Sequence, residues 1–465
     1  MAQRFVACDR EQSFLMPPDV REWLPENHLA WFVISAVGEM NLDAFYAAHR
    51  VDGRSRPPYD PAMMVALLLY AYARGIASSR VIERACIEDV AFRVIAAQQR
   101  PDHATIARFL ERHQDALGGL FAEVLTLCAR SGLAKVGVIA VDGTKVQANA
   151  SRNENLDYEQ LAREIVAEAI ATDAAEDELY GEARGDELPP EFSTEQGRRG
   201  WLREAKQRLE AERANDPQPV PRARAKRVKE AKRRLEEELW TEVRANHAYE
   251  HYRAHGRMKN GRRFGAPPKP YTPPARPEGR VNVTDPDSKV VKGLRGWIQG
   301  YNAQAVTNEH QIVLAAEIET IGADFGHLEP MLDAAQRELA AAGVHDTPGV
   351  LLADAGYWHG EQMDRIVNRG IPVLIPPDTT RRRATRRNWE GGHYDFMRRV
   401  LASERGGELY RKRQPMIEPV FAQMKFNRRL DRFKRRGRGA VRTEWRLITA
   451  THNLLKLHRH STAAA

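Results

Sequence analysis

Two apolar runs that each meet an aspartate constrain this chain most. VGVIAV, from Val136 to Val141, leads into Asp142, and GVLLA, from Gly349 to Ala353, leads into Asp354. Continuous β-branched runs of this kind read as strands buried on both faces, in a sheet covered by helices. A strand that stops at an acid places the carboxylate at a sheet edge, where a cation can reach it. Asp142-Gly143 also has the composition of a hairpin turn, so neither acid alone settles the matter.

A third acid, Glu418, sits in a helix-like segment of opposite charge, YRKRQPMIEPVFAQMKFNRRL. Between Arg381 and Arg459 there are 23 Lys and Arg against 7 Asp and Glu, a net of +16, whereas the whole chain carries +8. The basic block is thus attached to a body that is acidic on balance, the electrostatic footprint of a polyanion site. Apolar residues recur through the block, which argues against a solvated tail. Two strand-end aspartates and a helical glutamate form an oxygen-ligand set for Mg²⁺ or Mn²⁺. Such a set in basic surroundings points to phosphodiester chemistry on nucleic acid.

The same reading excludes other classes. No GxxxxGK[ST] loop is present, so no nucleotide cofactor is expected. Cys8, Cys86 and Cys128 contain no CxxC pair and their number is odd, which fits a reducing compartment. The N-terminal residues lack the apolar core of a signal peptide, and no apolar run approaches the roughly 20 residues of a membrane span. The expectation is a cytoplasmic protein without membrane contact, associated with the nucleoid when bound to DNA.

Three regions are expected. Residues 1–132 read as a helical, DNA-binding or dimerising domain: Asp60-Pro61 opens a helix that ends at Gly75, Ser78 and Ser79 cap the next, and Pro101-Asp102 starts another. Residues 152–279 read as a charged helical insertion, a hairpin or antiparallel coiled coil broken by Pro217, Pro219 and Pro221 and closed by a proline-rich linker. Residues 133–151 and 280–460 carry the strand signals: after the first strand come a hairpin turning at Asn308-Glu309-His310, a helix, GVLLAD, a short helix, IPVLIPP and two helices. That order predicts an α+β, RNase H-like mixed sheet of five strands flanked by helices.

VDGTK, LADAGYW and YRKRQPMIEPVFAQMK together resemble the three blocks of bacterial insertion-sequence transposases of the DDE type, in the RNase H-like transposase/integrase superfamily. The family carries a Tyr-x2-Arg-x3-Glu-x6-Lys signature. Tyr410, Arg413, Glu418 and Lys425 reproduce it with one extra residue between Arg and Glu. The resemblance implies Asp142, Asp354 and Glu418 as catalytic residues holding two divalent ions, about 3.5–4 Å apart, that activate the attacking oxygen and stabilise the leaving one. Water would release a 3′-OH at the element end, and that hydroxyl would then attack a target strand. Double-stranded DNA, both terminal repeats and target, is the implied partner, and joining two ends implies a homodimer. A nuclease of the same core without strand transfer, and an inactive DNA-binding regulator, are the alternatives.

Around this core Tyr410, Arg413 and Lys425 are candidates for gripping DNA, with Lys425 two helical turns beyond Glu418 on the same face. Arg428, Arg429, Arg432, Lys434, Arg435 and Arg436 extend a track for the duplex backbone. Trp358 is a candidate for stacking on an extruded base, or for packing. The run Arg381 to Arg387 reads as a DNA clamp. Asp285 and Asp287 read as turn caps in preference to a metal or DNA position, and Asp324 as the cap of a helix near His327. His247, His251 and His255 lack the second segment that a zinc site needs.

Overall fold

The computed structural model describes residues 19–48, 58–172, 198–255, 272–293, 296–378 and 391–464. Its central strand, β1 (Val138–Gln147), does not stop at Asp142. Thr144 and Val146 keep the β pattern going, and antiparallel pairing runs unbroken from Ile139 to Gln147. Gly143 therefore lies inside a strand, and the hairpin-turn reading of Asp142-Gly143 fails.

Two short strands, β2 (Asn155–Leu156) and β3 (Val281–Asn282), pair with each other across the insertion. The main sheet adds β4 (Lys289–Gly293), β5 (Gly296–Asn308), β6 (Val313–Glu319), β7 (Val350–Leu352) and β8 (Val373–Leu374). Its order is β4-β5-β1-β7-β8, with β6 also on β5. β5 is antiparallel to β1, β4 and β6, while β7 is parallel to β1 and β8. The class is α+β with a mixed sheet, as expected, but six strands are present instead of five. The extra strand, β4, is short and bounded by Lys289 and Lys292 at the sheet edge, where charged ends discourage further pairing.

The N-terminal region forms α1 (Leu29–Gly38), α2 (Asp43–Ala47), α3 (Pro61–Ala73), α4 (Ser79–Glu88), α5 (Val90–Ile95), α6 (His103–Arg112) and α7 (Gln114–Arg130). α3 begins as its sequence dictates: Asp60 accepts the Ala62 N–H at 3.3 Å and proline takes the first helical position. Ser78 stands at the N-cap of α4, but its hydroxyl makes no capping bond. After α3 the chain turns at Gly75, whose φ is 79°. A Cβ there would lie 2.2 Å from the Arg428 carbonyl oxygen, so glycine is what lets the C-terminal segment approach α3.

The insertion holds α8 (Tyr158–Thr172), α9 (Arg198–Asn215) and α10 (Arg224–His255). Ion pairs Lys206–Glu242 at 3.7 Å and Arg213–Glu237 at 2.9 Å run in opposite chain directions, so α9 and α10 are antiparallel. α8 packs on α10 and β3 through a small core of Leu161, Val228, Ala231, Leu235, Val281 and Val283. Asp285 and Asp287 are more than turn caps, because burial forces them to find partners. Asp285 accepts the Tyr301 hydroxyl at 2.7 Å, and Asp287 pairs with Arg234 of α10 and accepts the Arg438 N–H at 2.7 Å.

The remaining helices are α11 (Leu328–Ala341), α12 (Gly360–Asn368), α13 (Gly392–Ala402), α14 (Glu404–Arg411), α15 (Arg413–Ala422) and α16 (Arg438–Ala464). One apolar core runs from Ala30 to Leu457 and includes the N-terminal helices as well as both faces of the sheet. Buried Trp445 of α16 donates its indole N–H to the Gln304 carbonyl at 2.9 Å, fixing the last helix on β5. Cys86 and Cys128 are buried free thiols. Among the described residues no helix is long and apolar enough to cross a membrane. The run Arg381 to Arg387 lies outside the described residues, as does the side chain of His255.

Candidate active site

The parallel pairing of β1 with β7 sets the site. Val138 faces Val350, Ile139 faces Leu351 and Ala140 faces Leu352. Continuing this register by two residues brings Asp142 level with Asp354, on the same face because side chains alternate with period two. The two acids therefore meet where β7 ends and β1 runs on beside β5.

Asp142 accepts the Gly143 N–H at 2.8 Å on Oδ1 and Arg413 Nη1 at 2.9 Å on Oδ2. Burial pushes its pKa up to about 6, against the pull of Arg413 and reinforced by the charge of Asp354. Asp354 accepts the Gly356 N–H at 2.8 Å and so caps the turn Ala355–Tyr357. Its pKa is likewise raised, by burial and then by the charge of Asp324, although the Gly356 N–H opposes both. Two half-buried acids whose pKa values are raised by burial and by a neighbouring aspartate form a site short of positive charge.

Asp324 is the residue that the sequence concealed. Its backbone carbonyl accepts the His327 N–H at 3.3 Å, but its side chain does not cap that helix. Oδ1 instead accepts Asn302 Nδ2 at 2.8 Å, Gln304 Nε2 at 2.8 Å and Lys145 Nζ at 3.3 Å. Lys145 faces Asn302, and Gly143 faces Gln304, across the β1–β5 ladder. A Cβ on Gly143 would lie 2.3 Å from Gln304 Nε2 and 2.6 Å from Asp324 Oδ1, so this polar cluster needs glycine in the middle of β1. Buried Asn302 Oδ1 has no donor. Polar Asn302 and Gln304 in a buried strand, opposite a glycine, were the available signal.

Of the signature residues, Tyr410 and Arg413 join the aspartates. Tyr410 lies close to Arg413, burial raises its pKa, and both acids act electrostatically on it. Burial works against the Arg413 charge, yet Asp142 more than compensates, and its pKa is raised. Lys425 also reaches the strand, donating to Thr144 Oγ1 at 3.0 Å and to the Lys145 carbonyl at 2.9 Å. It does not share a helical face with Glu418. α15 contains Pro419 and passes at Ala422 into a π-helical turn, Gln423–Asn427, which turns Lys425 towards β1.

Glu418 stands apart. It is exposed and accepts Gln414 Nε2 at 3.1 Å. Met416, Ile417, Val420 and Phe421 form the buried face of α15, and Arg413 already reaches Asp142 from its first turn. Five residues further along, Glu418 lies roughly 140° round the helix from Arg413. Among the described residues no group of three or more His, Cys, Asp or Glu is gathered to hold a metal. Asp142 and Asp354 nevertheless offer carboxylate donors for a hard divalent cation. Mg²⁺ commonly uses one or two carboxylates, its own waters and substrate phosphates, not a complete protein cage.

The basic track is shorter than expected. Arg429, Arg432, Lys434 and Arg436 are exposed. Arg435 is half-buried and donates to Gln114 at 2.9 Å. Arg428 is buried and does not belong to the track: it donates to Tyr72 O at 3.3 Å, Thr451 Oγ1 at 2.7 Å and Ile448 O at 3.1 Å. Burial lowers its pKa to about 9. Trp358 is half-buried and packs against the main core.

Residues 18–112 match the model of a transposase domain (DUF772), and residues 377–458 match that of a transposase DDE domain. The second match takes in Tyr410, Arg413, Glu418 and Lys425, while Asp142 and Asp354 lie outside both. No curated protein and no solved structure matches the chain. The two matched domains are those of a transposase and support the insertion-sequence DDE transposase family for this chain.

Proposed function

We propose that the chain cleaves DNA at the ends of its own element and joins those ends to target DNA, with Asp142 and Asp354 at the reacting phosphate. The observation that carries this reading is the register that sets the two carboxylates level at the end of β7. Two divalent ions, Mg²⁺ or Mn²⁺, would supply charge for the attacking and leaving oxygens when bound there. Asp142 and Asp354 would hold them, with Glu418 as third ligand by the family resemblance and Asp324 as its rival by position. Asp324 keeps Asn302, Gln304 and Lys145 oriented under the site. Arg413 would exchange its Asp142 contact for a DNA phosphate, with Tyr410 beside it, and Lys425 would brace Thr144. Arg429, Arg432, Lys434 and Arg436 would follow the duplex backbone. On this reading the sheet is RNase H-like, the regions bounded at 132, 152 and 279 divide the work as an N-terminal helical part packed on the catalytic sheet and an insertion with a core of its own, and two copies of the chain meet on DNA in the cytoplasm.

The test is metal-dependent nicking of DNA that carries the terminal repeats, followed by supply of pre-cut ends. Joined products support strand transfer; nicking alone leaves a nuclease. Asp142→Asn and Asp354→Asn should abolish both reactions while DNA binding persists. Glu418→Gln against Asp324→Asn identifies the third acid. The exposed position of Glu418 favours one second reading, a DNA-binding regulator without activity, and a wild-type chain that binds the repeats but never nicks them would establish it.

A further inference from the structure

A second surface, remote from the aspartates, has the makings of a nucleic-acid groove. In the β4–β5 hairpin Lys292 faces Trp297 and Val290 faces Gln299, so these four side chains share one face. Trp297 is 57% exposed and Val290 44%, an unusual pair to leave in water. Gln299 is buried below them, held by Asn155 at 2.8 Å and by the Ser288 carbonyl at 2.9 Å. Between this hairpin and the start of the insertion lies a cleft of about 860 Å³. The ionisable residues lining it are Arg152, Arg280 and Lys289, all cationic. Arg152 donates to the Trp297 carbonyl at 3.0 Å, which fixes a guanidinium beside the indole. Lys289 is shared with Glu238 at 3.4 Å.

We infer that this cleft and the hairpin face beside it bind an unpaired DNA strand, with Arg152 and Arg280 in the cleft and Lys292 on the hairpin taking phosphates and Trp297 stacked on a base. The inference rests on the DNA-transposing reading above. A flat exposed ring among cations is what single strands use, because an unpaired base has a free π face and a base inside a duplex does not. An acidic peptide would satisfy the cations but not the indole. The hairpin also adjoins the right end of β1: Gly300 faces Gln147, roughly 17 Å along the strand from Asp142.

The experiment measures fluorescence anisotropy of a labelled oligo-dT and of a duplex of equal length, with the full chain and without divalent ions. Trp297→Ala should weaken single-strand binding about fivefold or more and leave duplex binding unchanged. Arg280→Ala should reduce the single-strand salt slope by about 0.7. Trp297→Phe, which keeps a ring in the hairpin, should restore most of the affinity, separating stacking from misfolding. Parental binding by both alanine variants, or equal losses on single strand and duplex, overturns the proposal. Nicking of terminal repeats alongside unaltered single-strand binding in the variants would sink the cleft and spare the proposed function. Selective loss of single-strand binding in a chain that never nicks would do the reverse.

Discussion

Asp142→Asn should inactivate the protein and stabilise it. The folded chain holds the Asp142 carboxyl at about 6, against 3.8 for an ordinary aspartate. That difference corresponds to about 3 kcal/mol by which the folded state disfavours the charged form. The attraction of Arg413 is already contained in the figure, since the carboxyl is raised in spite of it. The sign follows from linkage. Because the folded pKa lies above the unfolded one, the folded state binds the proton more tightly, and stability falls as pH rises from about 4 to about 6. The full cost is present above that window and absent below it. Asparagine has the same shape, can still accept from Gly143 N–H, and carries no charge at any pH. Urea denaturation of the metal-free proteins should therefore find the variant more stable by up to about 3 kcal/mol at pH 7.5, with the gap shrinking to roughly half at pH 5. A variant that is less stable than its parent at pH 7.5, or a gap that does not move with pH, would refute the claim that this acid is held charged at the expense of folding. Sites organised for function commonly carry such a cost.

Four further outcomes follow from the same geometry. Mg²⁺ should raise the melting temperature of the parent and do so much less for Asp142→Asn or Asp354→Asn, as scanning calorimetry with and without chelator will report. Arg428→Ala should lose about 3 kcal/mol or more in denaturation, since it strips partners from buried Tyr72 O, Ile448 O and Thr451, while the salt slope of DNA binding stays unchanged. Arg432→Ala, at an exposed position, should do the opposite: stability within about 0.5 kcal/mol and a duplex salt slope lower by about 0.9. Gly143→Ala, whose methyl would fall 2.3 Å from Gln304 Nε2, should cost about 1–3 kcal/mol and suppress nicking, measured on the same preparation.

Much of the fold was legible because it is written in periods. VGVIAV and GVLLA declare buried strands, the Asn308–His310 turn declares the β5–β6 hairpin, and Asp60-Pro61 with Gly75 brackets α3. β4 escaped because five residues flanked by lysines carry too little pattern to separate an edge strand from a loop. The same limit applies to single residues. Asp324 looked like a helix cap, since a sequence cannot report that Asn302 and Gln304, on a strand far from the turn in pairing terms, point their amides at its carboxylate. Arg428 and Arg429 are adjacent and chemically identical, yet one is buried under α3 and the other lies in solvent. Charge counting assigned both to DNA.

Sequence alone determined the classes of chemistry available: aspartates placed by strands, a basic C-terminal block, a charged helical insertion and the signature Tyr410, Arg413, Glu418 and Lys425. Tertiary structure decided which of those groups meet. Strand register puts Asp142 level with Asp354, whereas Glu418 depends on the rotation of α15, which the apolar face of Ile417 and Val420 sets with that acid outward. Register and helix rotation are fixed by packing between segments hundreds of residues apart, and local residue patterns contain no record of it.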